Sequence, residues 1–192
     1  MLFVGLGNPG SAYEMTRHNI GFRVVEKLVS DLGARDISKT SFHGRLFRHG
    51  TLFFLRPTTF MNLSGKSVVA VKQFFKIERE DVVVIHDDID LPFGAVRFKR
   101  GGGSGGHNGL KSIDEAIGRE YIRVRVGVGK PEHRTQVSDY VLHPFSAEEE
   151  QAVEALVSYV ARVCQKIPTS SLEQIKSLYS LKQLSALPDD AK

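Results

Sequence analysis

The 192-residue sequence predicts a single-domain α/β sandwich, with a twisted, mixed and partly parallel sheet flanked by helices. Three observations predict this fold. Apolar strand-like runs alternate along the chain with segments of helical periodicity. One run, DVVVIHDD, is continuous and β-branched, which is typical of a strand buried on both faces. Two others, AVRFKR and YIRVRVGVG, alternate between apolar and basic residues, which favours exposed or antiparallel strands.

The first half of the chain is predicted to alternate strands and helices. LFVGL is a short strand, and IGFRVVEKLVSDLG is a helix for which Gly33 is a suitable C-cap. FHGRLFRHGTLFFLRP predicts a hairpin that turns at His49-Gly50. SVVAVKQFFKI is a second helix, and it leads into the DVVVIHDD strand.

The second half is predicted to end in helices. GGGSGG is flexible, and the helix GLKSIDEAIG follows it between the two basic strands. SAEEEQAVEALVSYVARVCQKI is the longest helix, and Ser146 with Glu149 forms a capping box at its start. We expect the single cysteine, Cys164, to be buried in this helix, where it can form no internal disulfide. A last amphipathic helix, SLEQIKSLYSLKQL, leads to a short polar tail from about residue 185 of the domain 1–192.

Composition excludes the membrane-spanning and secreted classes of protein. The chain is 41% hydrophobic and 25% charged, as is usual for a soluble globular protein. No apolar run approaches the ~20 residues that a membrane-spanning helix needs. The N-terminus lacks the basic region of a signal peptide, and glycines interrupt the apolar stretch after Val4. We therefore expect a cytoplasmic protein with no membrane partner.

The net charge of +4 is concentrated in one stretch of the chain. A local basic excess suits a polyanionic partner bound on one face, although a solvated face without a partner gives the same composition. The stretch from Pro92 to Arg134 contains nine basic residues against four acidic ones, namely Arg97, Lys99, Arg100, Lys111, Arg119, Arg123, Arg125, Lys130 and Arg134 against Asp114, Glu115, Glu120 and Glu132.

The N-terminal GLGNPG has the G-x-G-x-x-G pattern of a dinucleotide-binding loop. Such a loop opens directly into a helix, and an acidic residue ~20 positions on ends a second strand. Here Pro9 and an irregular stretch precede the helix, and at the position expected for the acid the chain is still helical. The context excludes a dinucleotide site. It leaves Asn8, which also suits a turn, and His18 near the carboxyl end of the first strand, where open sheets bind ligands.

Three further polar clusters follow predicted strands. PTTFMNLSGKSV contains Asn62, although Asn62 or Ser64 also suits the cap of the next helix. IHDDIDLP contains Asp87 among acids that suit a divalent cation or, alternatively, a turn and a helix cap. Consecutive strand residues point to opposite faces, which argues against joint chelation by neighbouring acids. GGGSGGHNGL places His107 and Asn108 at a helix start, beside glycines that suit either an anion or a flexible loop.

A histidine, a strand-end aspartate and several asparagines suit water-based hydrolysis. The carboxylate fixes the histidine tautomer and stabilises the imidazolium, so that the histidine acts as a general base. Asparagine amides donate hydrogen bonds to a developing oxyanion or position the attacking water. The sequence contains no G-x-S-x-G, P-loop or H-E-x-x-H motif. Since a general base contributes only ~10²–10⁴-fold, these residues match a labile ester better than an amide.

Five stretches of the chain, in order, resemble one family, the bacterial peptidyl-tRNA hydrolases. They are VGLGNPGSAYEMTRHNIGF, RPTTFMNLSGKSV, VVVIHDDIDLPFG, RFKRGGGSGGHNGLKSI and IRVRVGVGKP. The resemblance implies cleavage of the ester between a peptide and the 3′-terminal ribose of tRNA, by activated water, with no covalent intermediate, metal or cofactor. It also implies a monomer whose partner is peptidyl-tRNA, bound at its acceptor stem and 3′ CCA end.

The resemblance also implies roles for individual residues. By this resemblance His18 is the general base, and Asp87 is its orienting partner. Asn8 contacts the terminal adenosine and the substrate, while Asn62 and Asn108 hold the peptide backbone and the attacking water. The implied cleft-lining residues are Tyr13, Phe60, Met61 and His107, and the implied contacts with the tRNA 5′ phosphate are Lys99 and Arg125.

Departures from the family pattern are small. HDDID stands where some members have HDELD, so Asp88 replaces a glutamate, and Phe93 stands where a second proline is common. Ser104 replaces a bulkier polar residue in the loop from Gly101 to Gly106, which could alter the mobility of that loop. None of these changes affects an implied catalytic position. A non-catalytic RNA-binding module on the same scaffold is the alternative that the basic surface supports.

Overall fold

A seven-stranded mixed sheet with helices on both faces forms the centre of the molecule. The computed structural model describes residues 1–131, 133 and 136–188. The strands are β1 (Leu2–Gly5), β2 (Arg35–Asp36), β3 (Gly44–His49), β4 (Leu52–Pro57), β5 (Val82–Asp88), β6 (Val96–Arg100) and β7 (Ile122–Gly127). The helices are α1 (Ile20–Leu32), α2 (Ser64–Phe74), α3 (Asn108–Ile117), α4 (Val137–Leu142), α5 (Ala147–Cys164) and α6 (Leu172–Tyr179).

The order of strands in the sheet is β2-β3-β4-β1-β5-β7-β6. β1 pairs in parallel with β4 and β5, and β5 pairs in parallel with β7. The outer pairs β2–β3, β3–β4 and β6–β7 are antiparallel. The mixed, partly parallel sheet predicted from the sequence is therefore confirmed. Because β1, β4, β5 and β7 run in the same direction, their carboxyl ends meet at one edge, where ligands bind in sheets of this kind.

Local signals in the sequence agree with the observed ends of several elements. Gly33 adopts the left-handed conformation, with φ 58°, at the end of α1. The capping box of Ser146 and Glu149 is present at the start of α5. The predicted cap of α2 by Asn62 or Ser64 is wrong, because the N-cap is Leu63 and the Ser64 hydroxyl donates to the Met61 carbonyl.

Tertiary pairing shortens the last helix and buries part of a basic strand. α6 ends at Tyr179 rather than near residue 184, because Leu181 forms a backbone bridge to Val96 of β6. β7 does pair antiparallel with β6, but it is an interior strand, and Arg123 on it is fully buried. The short α4 and β2 were not predicted. Both are too short to give a periodic pattern.

Two apolar cores fill the space between the sheet and the helices. One contains residues of α1, α5 and α6, including the buried Cys164, and Leu187 also packs into it. The other contains residues of α2 and α3 against the opposite face of the sheet. Among the described helices, none is long and apolar enough to cross a membrane.

Two glycines allow α1 to lie directly against the end of β1. A Cβ atom on Gly5 would overlap the carbonyl oxygen of Gly21, and one on Gly21 would lie 2.5 Å from the Leu6 nitrogen. The backbone contacts here are direct, since the Phe22 N–H donates to the Leu6 carbonyl at 3.2 Å. Gly5 of the N-terminal motif therefore serves close packing of strand and helix, together with Gly21, and this packing places the chain before α1 at the sheet edge.

Gly21→Ala tests this close approach. We expect it to lower the free energy of unfolding by about 3 kcal/mol, because a methyl group cannot fit between backbone atoms without moving the helix. The measurement is thermal or urea unfolding, with a fall in Tm of about 10 °C. Gly103→Ala is the matched control, because Gly103 is exposed and a Cβ atom there meets no heavy atom within 4 Å. Equal stability of the two variants would contradict the packing argument.

Candidate functional site

A cavity of about 970 Å³ lies at the carboxyl ends of the parallel strands. Its lining comes from the ends of β1 and β5, the segment after β4, the glycine loop before α3, and α4. The sequence placed its candidates at these positions, and the structure brings nearly all of them together. The candidates that line the cavity are Asn8, His18, Phe60, Met61, Asn62, Asp87, Lys99, His107, Asn108 and Arg125.

Tyr13 is the exception among the residues implied to line the cleft. It is half-buried in a single 3-10 turn, Ser11–Tyr13, and among the described residues it does not line this cavity. Its N–H donates to the Gly10 carbonyl, and its own carbonyl accepts from the backbone and hydroxyl of Thr16. This tight turn leaves Tyr13 outside the cavity, while the next turn carries His18 into it.

The buried carboxylate of Asp87 lies at the centre of the site. Its Oδ1 is 2.9 Å from Nδ1 of His18 and 2.9 Å from Nε2 of His107, and its Oδ2 is 3.0 Å from the same His18 nitrogen. Asp87 is only 2% exposed. β5, the turn before α1 and the start of α3 each supply one member of this histidine–aspartate cluster (His18, Asp87 and His107).

The hydrogen bonds determine which nitrogen of each histidine carries a proton. His107 is the N-cap of α3, and its Nδ1 accepts from the backbone N–H groups of Gly109 and Leu110. Its proton therefore lies on Nε2 and is donated to Asp87. The Nδ1–H of His18 also donates to Asp87, so the neutral imidazole of His18 keeps a lone pair on Nε2. That lone pair is the one available base in the cluster.

Electrostatics couple the two ends of the His18–Asp87 pair. Burial acts to lower the pKa of His18, but the charge of Asp87 and the hydrogen bond to it outweigh burial and raise the pKa. Burial would raise the pKa of Asp87, but the charge of His18 and the contacts with His107 hold it well below its usual value. The raised pKa of His18 stabilises the fold fully below pH ~6.5, and this contribution is lost as the pH rises through the folded-state pKa of His18. The lowered pKa of Asp87 stabilises the fold fully above pH ~3.9, and that contribution is lost as the pH falls through the folded-state pKa of Asp87.

The third histidine of this region, His86, lies beside the cluster, with its ring centre 5.2 Å from that of His107. Its Nδ1 donates to the backbone carbonyl of Asp87 at 2.6 Å, and its side chain is buried. Burial and the neighbouring His107 lower the pKa of His86 to about 3. His86 is therefore neutral at physiological pH and does not compete with His18 for the charge of Asp87.

The cluster has the residue types of a metal site but the wrong arrangement of protons. The nearest ligand atoms of His18, Asp87 and His107 all lie within 4.8 Å of one another. A metal ion on Nε2 of His107 would require the proton to move to Nδ1. That nitrogen faces two backbone N–H donors, from Gly109 and Leu110, so a third hydrogen there would clash with them. These residues therefore do not fit a metal.

Asn8 is held in one orientation by the backbone around it. Its Oδ1 accepts from the Met61 N–H at 2.8 Å, so the NH₂ of its amide is left for the cavity. Asn19 holds the Asn8 backbone through two hydrogen bonds, one to its N–H and one to its carbonyl. Asn19 is 1% exposed. Sequence reasoning missed Asn19, although its position directly after His18 was a signal.

Arg17 anchors the turn that carries His18. Its guanidinium carbon lies 4.3 Å from the centre of the Tyr140 ring, and its side chain bonds the Pro144 carbonyl and the Glu149 carboxylate at 2.7 Å. It therefore ties the His18 turn to α4 and to the start of α5. Sequence reasoning missed Arg17, because its partners are more than 120 residues away in the chain.

The basic residues of β7 have two different environments. Arg123 is buried and donates to the carbonyls of Gly102 and Gly103 and to Asp114, so it fixes the glycine loop to α3. Arg125 is partly exposed and lines the cavity together with Lys99. Arg123 also borders the cavity, but its side chain is fully buried, so of these two arginines Arg125 is the one that exposes its charge to the space where a ligand can bind.

Titration of the histidine rings by NMR tests the coupling of His18 to Asp87. We expect a pKa above 6.5 for His18 in the wild type. In Asp87→Asn we expect a value below 6.5, because the charge is removed while burial remains. Asp31→Asn is the control, since Asp31 pairs with Lys27 on the surface. A His18 pKa that is unchanged by Asp87→Asn would contradict the assigned coupling.

Comparison with known proteins places this site in a family. The profile described as peptidyl-tRNA hydrolase matches residues 2–186. A peptidyl-tRNA hydrolase of a Sulfurovum species is 67% identical, with 97% of this chain and 98% of that protein covered, and one of Sulfurimonas denitrificans is 53% identical, with 95% and 97% covered. A crystal structure of a peptidyl-tRNA hydrolase variant from Acinetobacter baumannii has a TM-score of 0.90 at 35% identity, with 95% of each chain covered. The chain belongs to the peptidyl-tRNA hydrolase family.

Proposed function

We propose that this protein hydrolyses the ester bond between the peptide and the 3′-terminal ribose of peptidyl-tRNA, releasing free peptide and reusable tRNA. The observation that carries the proposal is the hydrogen bond of His18 Nδ1 to the buried Asp87 in a cavity of about 970 Å³. This contact leaves Nε2 of His18 as a base. Family membership supports the substrate, since the relatives are named for it.

The proposed reaction uses water as the nucleophile and forms no covalent enzyme intermediate. Nε2 of His18 takes a proton from water while the water oxygen bonds to the ester carbonyl carbon. Asp87 stabilises the imidazolium that results. The tetrahedral intermediate then breaks its bond to the ribose 3′ oxygen, and that oxygen takes the proton from His18. The base is thereby regenerated, and peptide and tRNA leave separately.

The asparagines supply hydrogen bonds around the reacting carbonyl in this proposal. The NH₂ of Asn8 is presented to the cavity, and it contacts the substrate near the terminal adenosine. Asn62 and Asn108 are exposed and line the same cavity, which suits amides that hold the peptide backbone and the attacking water. Phe60 and Met61 form part of the apolar wall beside them.

The basic end of the cavity is proposed to bind the tRNA. Lys99 and Arg125, which we call the phosphate grip, contact the 5′ phosphate, so that the acceptor stem lies over β6 and β7 and the 3′ CCA end reaches His18. We propose that the enzyme acts as a monomer without metal or cofactor. The tautomer of His107 supports metal independence, because its Nε2 carries the proton that it donates to Asp87.

His18→Ala tests the general base. We expect release of peptide from peptidyl-tRNA to fall by ~10²–10⁴-fold, with tRNA binding retained. His49→Ala is the matched control, because His49 is exposed at the end of β3 and should keep full activity. Near-full activity of His18→Ala would show that another group is the base. Tight tRNA binding by the wild type with no cleavage would instead indicate a non-catalytic RNA-binding module.

The pH dependence of kcat/KM tests the protonation state that the mechanism requires. Only neutral His18 can accept a proton, so the rate should rise about tenfold per pH unit below the pKa of His18 and then level off. Because that pKa is raised, the midpoint should lie above 6.5. Non-enzymatic ester hydrolysis is subtracted at each pH. A rate that does not vary between pH 5 and pH 8 would exclude His18 as the base.

A further inference from the structure

A carboxylate lies directly beside the phosphate grip. Oδ2 of Asp88 is 2.7 Å from Nε of Arg125, and the two side chains are 13% and 23% exposed. Oδ1 of Asp88 accepts from the Asp90 N–H at 2.9 Å, which fixes the rotation of the carboxylate. Asp88 also lines the cavity together with Lys99. The anionic group is thus held at the place where a phosphate is expected to bind.

The contact uses only one edge of the Arg125 side chain. Asp88 takes the Nε–H, and within the described part of the chain Nη1 and Nη2 of Arg125 have no hydrogen-bond partner. These two terminal groups together form one edge of the guanidinium that can bind a phosphate in a bidentate fashion. Asp88 therefore orients the guanidinium without occupying its phosphate-binding edge.

Arg123, the other arginine of β7, cannot take over the phosphate contact proposed for Arg125. Arg123 is fully buried, and Asp114 lies 2.8 Å from it, so its charge is already paired inside the protein. Lys99 has no ion-pair partner in the described residues, and burial together with Arg125 and Arg123 lowers its pKa. Asp88 acts against this crowding of cations, because its charge favours the protonated form of Lys99.

We propose that Asp88 is a positioning residue that sets the strength of the phosphate grip by orienting Arg125 and offsetting part of its charge. This inference rests on the proposed function of Lys99 and Arg125. Hydrolysis leaves the 5′ phosphate unchanged, so the grip holds substrate and product tRNA equally. An interaction that is equally strong with substrate, transition state and product lowers KM without raising kcat. If the phosphate grip binds too tightly, it delays release of the product tRNA. The carboxylate keeps the grip weak enough for turnover.

Asp88→Asn tests the proposal by removing the charge with little change in shape. We expect the Kd for deacylated tRNA with a 5′ phosphate to fall about fivefold at low salt, because an anion several ångströms from the phosphate is removed. KM for peptidyl-tRNA should fall with it, and kcat should fall as product release slows. A stability role alone would not tighten binding.

Three controls test whether the effect depends on the charge of Asp88, on its position beside Arg125 and on the 5′ phosphate of the tRNA. Asp88→Glu keeps the charge and should bind tRNA within about twofold of the wild type. Asp90→Asn removes a neighbouring exposed carboxylate that does not contact Arg125, so its effect should be smaller and should disappear at high salt. With tRNA that ends in a 5′ hydroxyl, Asp88→Asn should tighten binding no more than Asp90→Asn does.

The outcomes distinguish this inference from the function on which it rests. Lys99→Ala should weaken binding of 5′-phosphorylated tRNA and leave binding of 5′-hydroxyl tRNA unchanged. If it does so while Asp88→Asn is neutral or weaker, the role of Asp88 is overturned and the phosphate grip stands. If the wild type does not discriminate between the two tRNAs, the phosphate grip itself is overturned, and the role of Asp88 with it.

Discussion

The buried carboxylate of Asp87 is the constraint on which the site depends. A charge that is 2% exposed is costly unless it is paired and hydrogen-bonded, and here two histidines satisfy it. Removing one partner from such a buried pair typically costs about 3–5 kcal/mol. The carboxylate therefore does more than orient a base. It requires the end of β5, the turn before α1 and the start of α3 to meet at one point.

Two neighbouring residues of β5 make separate sets of contacts in the cavity, one with histidines and one with an arginine. Asp87 and Asp88 are consecutive on a strand, so their side chains leave opposite faces of the sheet. Asp87 meets His18 and His107, while Asp88 meets Arg125 on the adjacent β7. The alternation that argues against joint chelation by these acids thus gives each carboxylate its own partner. The proposed acid–base group and the proposed phosphate-binding group therefore lie side by side because of this period of two.

The predictable part of the molecule is the part with local signals. Periodicity predicted the main strands and helices, Gly33 and the Ser146 capping box predicted helix ends, and polar clusters were recognised directly after predicted strands. The parts that were not predicted depend on distant contacts. α6 is shortened by the bridge of Leu181 to Val96, and a single 3-10 turn keeps Tyr13 out of the cavity lining.

The sequence by itself determined the fold class and the mixed sheet, and of the candidate site residues that it supplied, all except Tyr13 line the cavity. Each of these follows from local periodicity, turns or family motifs. Tertiary structure alone decided which nitrogen of His107 carries its proton, which way the Asn8 amide faces, and that Arg123 is buried while Arg125 is not. The physical reason is that each of these depends on a hydrogen bond or a packing contact from another element. The local sequence pattern around a residue does not show which distant residue will contact it.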